Sequence, residues 1–217
     1  ALVNMLQGRF TLRGNGPLTW VFGAAVEQDR DRGTVSFHQK LFIQDTVKEF
    51  LGDDPRHNRR VVPCNDEITS LTPLEEGEMI HPRYSELVGK IGWLTNISRP
   101  DIGYAYSMLS RHLKGGGERH FNVALGVLAY LDKTRDKVIS YYRDGPGHLG
   151  DHIVEHADLA SFDYDRFTPL VFSDTSHGGE KPQAGYMIFV CDGLVSAHFG
   201  RLKSTPCSSS EGEYGLA

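Results

Sequence analysis

Between positions 82 and 133, apolar residues recur every three or four positions, in three runs that proline or glycine separates. This spacing places the apolar side chains of each run on one face of a helix. Pro82 and Pro100 suit first helical turns, and the glycines at 115–117 suit a helix end. The sequence therefore predicts a bundle of three short-linked helices. Its predicted buried positions are Leu87, Val88, Ile91, Leu94, Ile102, Ala105, Tyr106, Leu109, Leu113, Phe121, Ala124, Leu125, Leu128 and Leu131.

Extended patterns flank this bundle on both sides. An apolar run at 18–26, a polar loop ending at Gly33 and a β-branched stretch at 34–38 predict a hairpin, which a helix over 39–50 follows. After residue 168, the runs LVFSDT, GYMIFV and LVSAHFG predict a three-strand antiparallel meander. The predicted fold class is therefore α+β.

Composition limits the class of protein. No stretch of the 217 residues approaches the roughly 20 apolar residues of a membrane span, and the first residues lack a signal-peptide pattern. Three widely spaced cysteines exclude a disulfide scaffold and favour a reducing compartment. We therefore expect an intracellular protein that is neither secreted nor membrane-bound; the family resemblance described below implies a cytoplasmic particle or the nucleus. Because the chain starts at Ala1 and stops at Ala217 inside a predicted helix, we also expect an excerpt of a longer protein.

The net charge of −5 is unevenly distributed along the chain. Residues 80–143 contain 10 lysines and arginines against 5 acidic residues, whereas 144–217 contain 4 against 11. Phosphate binding depends on clustered cations, so the imbalance indicates two functional regions. A pair of ordinary solvated faces explains the same imbalance, and charge alone does not decide between them.

Two carboxylates are candidate metal ligands. Asp174 lies near the end of the first strand of the predicted meander, and Glu213 lies in the first turn of a predicted helix after it. Carboxylates from neighbouring elements hold Mg²⁺, and a pair of such ions cleaves phosphodiesters. On spacing alone, the favoured explanation is the alternative, in which Asp174 is a strand-end turn residue and Glu213 is a helix-dipole partner.

A rival metal site lies in the Gly-, Asp- and His-rich stretch 144–168. His148, His152 and His156 recur every four residues, which would align three imidazoles on a helix and suit zinc. The nearby glycines and the lack of an H-E-x-x-H motif oppose this interpretation.

One helix face and several basic residues are candidates for nucleic-acid contact. Ser85, Gly89 and Trp93 recur every four residues, and Gly89 and Gly92 leave the helix surface low. The candidate phosphate contacts are Lys90, Arg99, Arg111 and Lys114. Trp20, in the predicted hairpin, is a further candidate. Helix packing by the glycines, solvation of the cations and burial of Trp20 are the alternatives.

The motifs resemble one known family. YSELVGKIGWLTNISRPDIGYAYSMLSRHL, then RHFNVALGVLAYL, LVFSDTSHGG, AGYMIFV, LVSAHFGRLKS and SSSEGEY, resemble the copia-type retrotransposon Pol polyprotein in order and spacing. The upstream segment from GRFTLRG to KEF is similar to the family's stretch just after its polymerase active-site motif. Only residues 144–168 are unmatched.

The resemblance implies a right-hand polymerase followed by RNase H. It implies a palm end with a primer-gripping hairpin and connector over 1–81, a helical thumb over 82–143, a linker over 144–168 and the start of an RNase H-like α/β domain over 169–217. It gives Ser85, Gly89 and Trp93 a role in tracking the minor groove of the template and primer. It also matches Asp174 and Glu213 to catalytic RNase H carboxylates that hold part of a two-Mg²⁺ site. The implied partners are an RNA/DNA hybrid, a primer-template duplex and the rest of the polyprotein; a homodimer is left open.

The chain also departs from the family pattern. The adjacent polymerase aspartates of Y-V-D-D and the later RNase H aspartates are absent, so we expect no enzymatic activity from this chain alone. Where D-A-D-W-A-G is usual, residues 174–179 are DTSHGG, and residues 124–129 are apolar where basic residues are usual. The first functional hypothesis is a duplex-binding reverse transcriptase/RNase H fragment. The alternatives are a catalytically dead relic whose bundle only packs, and a His-rich zinc-binding protein.

Overall fold

This computed structural model describes residues 5–6, 8–11, 16–52, 61–143, 169–175, 183–191 and 193–202. Within the described ranges, the chain contains seven strands and five α-helices that are named here. The strands are β1 (Trp20–Val21), β2 (Ala24–Asp29), β3 (Thr34–His38), β4 (Ile139–Tyr142), β5 (Leu170–Thr175), β6 (Gln183–Val190) and β7 (Gly193–Arg201). The helices are α1 (Lys40–Phe50), α2 (Asp66–Thr69), α3 (Tyr84–Ile97), α4 (Gly103–Ser110) and α5 (Glu118–Lys133), with a 3₁₀ turn at Pro100–Ile102 before α4.

The predicted N-terminal hairpin is confirmed as part of an antiparallel sheet with the order β1-β2-β3-β4. A two-residue turn, Phe22-Gly23, joins β1 to β2, and its φ angles are +48° and +74°. Two consecutive positive φ angles match the right-handed twist of the flanking strands. The turn therefore presents the Phe22 side chain at the tip of the sheet.

Strand β4 was not predicted from the sequence. It returns from the end of α5 and pairs with β3 along the register Thr34↔Tyr142 to Phe37↔Ile139. The Ser36 and Ser140 hydroxyls lie 2.9 Å apart, and the Phe37 and Tyr141 rings meet edge to face. The helical prediction therefore holds as far as Lys133, and the chain then rejoins the N-terminal sheet.

The predicted helical bundle is confirmed, and it contains the main core. The predicted stripes are buried except for Tyr106 and Phe121, which are partly buried, and Leu113, which is exposed. Helix α1 packs against α5, and Ile68 of α2 adds a buried side chain from the connector. The Tyr84 hydroxyl donates a hydrogen bond to the carbonyl oxygen of Leu109 over 2.7 Å, which ties α3 to the end of α4.

The predicted C-terminal meander is confirmed, with the order β5-β6-β7 and antiparallel pairing throughout. It lies against α4: a Cβ on Gly103 would come within 2.0 Å of the Phe199 ring, so only glycine allows this approach. The Ser107 hydroxyl donates to Gln183 Oε1 over 2.9 Å, and the Tyr141 hydroxyl donates to the Leu194 carbonyl over 2.6 Å. The fold is thus mixed, with antiparallel sheets and several helices, as the α+β prediction required.

Among the described residues, no helix has the length and apolar character needed to cross a membrane.

Candidate nucleic-acid interface

The predicted face of α3 is open to solvent. Ser85, Gly89 and Trp93 are all exposed, and their four-residue spacing aligns them along the helix. A Cβ on Gly89 would meet nothing within 4 Å. The middle of this face is therefore a shallow surface that a second molecule can approach closely. We call Ser85, Gly89 and Trp93 the α3 face.

Gly92 has a different role from the one predicted. It is buried, and a Cβ at this position would lie 2.6 Å from the Tyr106 ring of α4. Gly92 therefore allows α3 and α4 to pack, and only Gly89 lowers the outer surface. Gly92 differs from Gly89 only through its contact with α4, so the sequence of α3 alone does not tell the two glycines apart.

The N-terminal hairpin meets the α3 face at Trp93. A Cβ on Gly23 would lie 3.4 Å from Trp93 Nε1, so the tip of the β1–β2 turn lies against the indole ring. Three exposed aromatic side chains belong to the elements that make this contact, two on the hairpin and one on α3: Trp20 at 50%, Phe22 at 77% and Trp93 at 43%. We call these three residues the aromatic group. Phe22 was not a predicted site residue, although the Phe-Gly pair between two short apolar segments was the available signal for an exposed turn.

Lys90 lies beside the α3 face but is engaged by α1. Its Nζ atom donates to Glu49 Oε2 over 2.7 Å, and Arg83 contacts the same carboxylate. The hydrogen bond from Lys90 lowers the pKa of the Glu49 carboxyl below its ordinary value. This ammonium group therefore already has an anionic partner in the structure, and its contact with phosphate stays a prediction.

The prediction that Arg99 contacts phosphate does not fit the structure. The residue is 1% exposed, and its Nε and Nη2 atoms each donate to an oxygen of Asp101 over 2.8 Å. The same guanidinium donates to the hydroxyl and the carbonyl oxygen of Thr134. Burial alone would raise the pKa of Asp101, but the hydrogen bonds and charge of Arg99 lower it. Arg99 is therefore a structural residue that joins the start of the 3₁₀ turn to the end of α5.

The other predicted cations follow α4. Lys114 is exposed in the turn between α4 and α5, and Arg111, the residue after α4, is partly buried. Residues 124–129, which are apolar where the family is usually basic, are buried in the bundle core except for the partly buried Gly126. At these positions, helix α5 therefore contributes to the core and has no cation that could contact phosphate.

Asp174 is exposed on β5 and pairs with Gly185 of β6. Asp174 is one of the residues that line a cavity of about 540 Å³ between α4 and the C-terminal sheet, together with Tyr104, Phe172 and Phe199. Glu213 and the histidines at 148, 152 and 156 lie outside the described residues. Within the described ranges, no group of three His, Cys, Asp or Glu side chains is arranged to hold a metal ion.

Comparisons with known proteins find relatives of this chain among transposon proteins. The Retrovirus-related Pol polyprotein from transposon TNT 1-94 of Nicotiana tabacum is 23% identical over 220 residues, which cover 96% of this chain and 15% of that protein. A putative transposon Ty5-1 protein of Saccharomyces cerevisiae is 32% identical over 136 residues, which cover 60% of this chain and 38% of that protein. The chain is therefore a homologue of retrotransposon Pol polyproteins, as its motifs predicted.

A third relative has a different description. The Secreted RxLR effector protein 161 of Plasmopara viticola is 24% identical over 135 residues, which cover 60% of this chain and 81% of that protein. No family model matches the chain. No solved structure matches it either.

Proposed function

We propose that this chain is a region of a retrotransposon reverse transcriptase that binds the RNA/DNA hybrid or primer-template duplex through the α3 face and the N-terminal hairpin. The observation that carries the proposal is the contact between Gly23 and Trp93, because it brings two separately predicted elements to one surface. The homology to Pol polyproteins also supports the proposal, because a reverse transcriptase acts on such a duplex.

The chemistry of this surface suits a duplex. An open glycine at the centre of the α3 face admits close approach of a sugar-phosphate backbone, since no side chain projects from Gly89. The exposed rings of the aromatic group offer flat apolar surfaces for sugars and bases. Lys90, beside the α3 face, and Lys114, exposed in the turn after α4, are the cations that would supply electrostatic attraction to phosphate.

An RNase H-like role for the C-terminal sheet is the second part of the proposal. Asp174 is accessible at the edge of a cavity, as a metal-binding carboxylate must be. One carboxylate does not complete a Mg²⁺ site, however, and Asp174 belongs to no group of three or more His, Cys, Asp or Glu side chains among the described residues. The described residues alone therefore do not fit the ion, and a magnesium site requires Glu213 or other ligands as the resemblance implies. No catalytic step is assigned to this region.

The relic hypothesis has support of its own. Two of the four predicted phosphate-binding cations, Lys90 and Arg99, are paired with carboxylates within the fold. In that alternative, the bundle retains its packing and has lost its affinity for nucleic acid.

A salt titration tests the proposed function. We expect a fluorescently labelled RNA/DNA hybrid to bind the purified chain, with an affinity that falls steeply as salt rises, by a slope of about −0.9 per neutralised phosphate in a plot of log affinity against log salt concentration. Fluorescence anisotropy between about 50 and 200 mM salt measures this slope. Absence of binding, or an affinity that salt does not change, would contradict the proposal and favour the relic.

A further inference from the structure

The cavity between α4 and the C-terminal sheet has the size of a small-molecule site. Its volume of about 540 Å³ lies within the roughly 300–1,000 Å³ of ligand pockets, which are mostly apolar and have a few polar groups. The large aromatic and apolar residues in its lining include Tyr104, Phe172, Met187 and Phe199. Among the described residues that line it, Asp174 alone is charged at neutral pH. The cavity therefore combines aromatic surface with a single negative charge.

The register of the strands places the Asp174 side chain on an apolar face of the sheet. Asp174 lies two residues after Phe172 on β5, and side chains two apart on a strand share a face. Gly185 of β6 is opposite Asp174, and Phe199 of β7 is opposite Gly185, so all of these positions lie on one face. The Phe199 ring lies against Gly103 of α4, so this face turns towards the helix and the cavity.

The Asp174 carboxylate is accessible and has no partner in the part of the chain that the structure describes. The residue is exposed, and no ion pair or side-chain hydrogen bond joins it to another described residue. Gly185, directly opposite, has no side chain that could cover the carboxylate. The described lining contains no lysine or arginine that could balance the charge. A cation that enters the cavity can therefore pair with this carboxylate.

An organic cation matches these surroundings better than a metal ion. Mg²⁺ and Ca²⁺ require several oxygen ligands, and no group of three or more His, Cys, Asp or Glu side chains occurs among the described residues. The faces of aromatic rings, in contrast, attract organic cations. Burial of an apolar ligand body against the same rings adds to the affinity.

We infer that this cavity binds a small organic cation with a flat apolar body, such as an aryl amidine, whose charged group pairs with Asp174. An amidinium group donates two parallel hydrogen bonds to a carboxylate, as a guanidinium does. The ring of the ligand lies against the aromatic lining that Phe172 and Phe199 provide. This inference goes beyond the proposed function, because it needs no nucleic acid and concerns the C-terminal sheet instead of the α3 face.

Binding of benzamidine to the full chain tests the inference. Benzamide is the matched neutral probe, because it has nearly the same shape and no charge. We expect the wild type to bind benzamidine at least about tenfold more tightly than benzamide, since hydrogen bonds between charged groups are stronger than those of neutral donors. Ligand-observed NMR at low salt measures both dissociation constants.

Two variants separate the contributions of the charge and the apolar surface. Asp174→Asn should weaken benzamidine binding by about tenfold and leave benzamide binding within about twofold. Asp31→Asn removes the same charge from an exposed position between β2 and β3 and should change neither affinity. Phe172→Ala should weaken the binding of both probes, and the 43% exposure of Phe172 makes this variant compatible with folding. Thermal unfolding confirms the fold of each variant.

The outcomes separate this inference from the proposed function. Equal affinities of the wild type for the two probes would overturn it, and this comparison decides even if Asp174→Asn does not fold. Benzamidine binding that Asp174→Asn leaves unchanged would overturn it too. Binding of Mg²⁺ without binding of benzamidine would also overturn it and would favour the metal site that the resemblance implies. None of these results bears on hybrid binding, which the salt titration tests separately.

Discussion

Replacing Gly89 by leucine is expected to weaken binding of the RNA/DNA hybrid by about tenfold or more, which corresponds to about 1.4 kcal/mol. A side chain at this position enters open space above α3, because no atom lies within 4 Å of a Cβ built there. In the complex that we propose, the duplex occupies this space. The isolated protein should fold at least as well as the wild type, since leucine favours a helix over glycine by roughly 0.5–1 kcal/mol. Fluorescence anisotropy measures the affinity, and thermal unfolding confirms the fold.

A matched control exists for this substitution. A Cβ on Gly115, in the turn between α4 and α5, would also meet nothing within 4 Å, so Gly115→Leu makes the same chemical change in open space outside the α3 face. We expect Gly115→Leu to keep affinity within about twofold of the wild type, in the range of ordinary surface substitutions. Equal affinities for wild type and Gly89→Leu would favour the relic hypothesis, in which α3 serves only packing.

Replacing Arg99 by alanine is expected to lower the free energy of unfolding by about 3 kcal/mol or more. The change removes four hydrogen bonds and leaves the partly buried Asp101 carboxylate with Tyr130 and Lys137 as its remaining partners. Breaking one side of a buried pair is much more harmful than losing both sides, because the remaining charge stays desolvated. Urea denaturation followed by circular dichroism measures the loss.

Two further variants show whether this loss comes from the buried pair. Arg135→Ala removes a surface partner of Asp132 and should change stability by less than about 0.5 kcal/mol. The double variant Arg99→Met/Asp101→Leu should recover part of the stability lost in Arg99→Ala, because no carboxylate is then left without its guanidinium. A loss in Arg99→Ala as small as that in Arg135→Ala would show that Arg99 is not the structural residue described above.

Local periodicity was sufficient to predict the helices other than α2, whose four residues lie in the stretch that the sequence predicts as a connector. Helix α5 spans Glu118–Lys133 as predicted, because a continuous apolar stripe and a preceding run of glycines mark both its face and its start. The meander strands were equally clear, since β5 coincides with the run LVFSDT. Strand β4 escaped prediction because its four residues acquire their structure from pairing with β3, about a hundred positions earlier in the chain. Such a short strand has no distinctive pattern of its own.

The candidate interface was predictable only where it depends on local spacing within one helix. The spacing of Ser85, Gly89 and Trp93 depends on one helix, and all three are exposed as a binding face requires. The pairing of Lys90 with Glu49 and the burial of Arg99 against Thr134 depend on residues more than 30 positions away. Asp101, two residues after Arg99, was the local signal that this cation already had a partner.

Tryptophan fluorescence tests the central claim most directly. The chain contains 2 tryptophans, Trp20 and Trp93, and both belong to the aromatic group at the proposed interface. Adding unlabelled RNA/DNA hybrid at low salt should change their emission, and raising the salt should reverse the change with the same midpoint as binding measured by anisotropy. Trp20→Phe and Trp93→Phe variants would assign the signal to each ring. Hybrid binding that leaves the emission unchanged would contradict the account, because it would place the duplex on another surface.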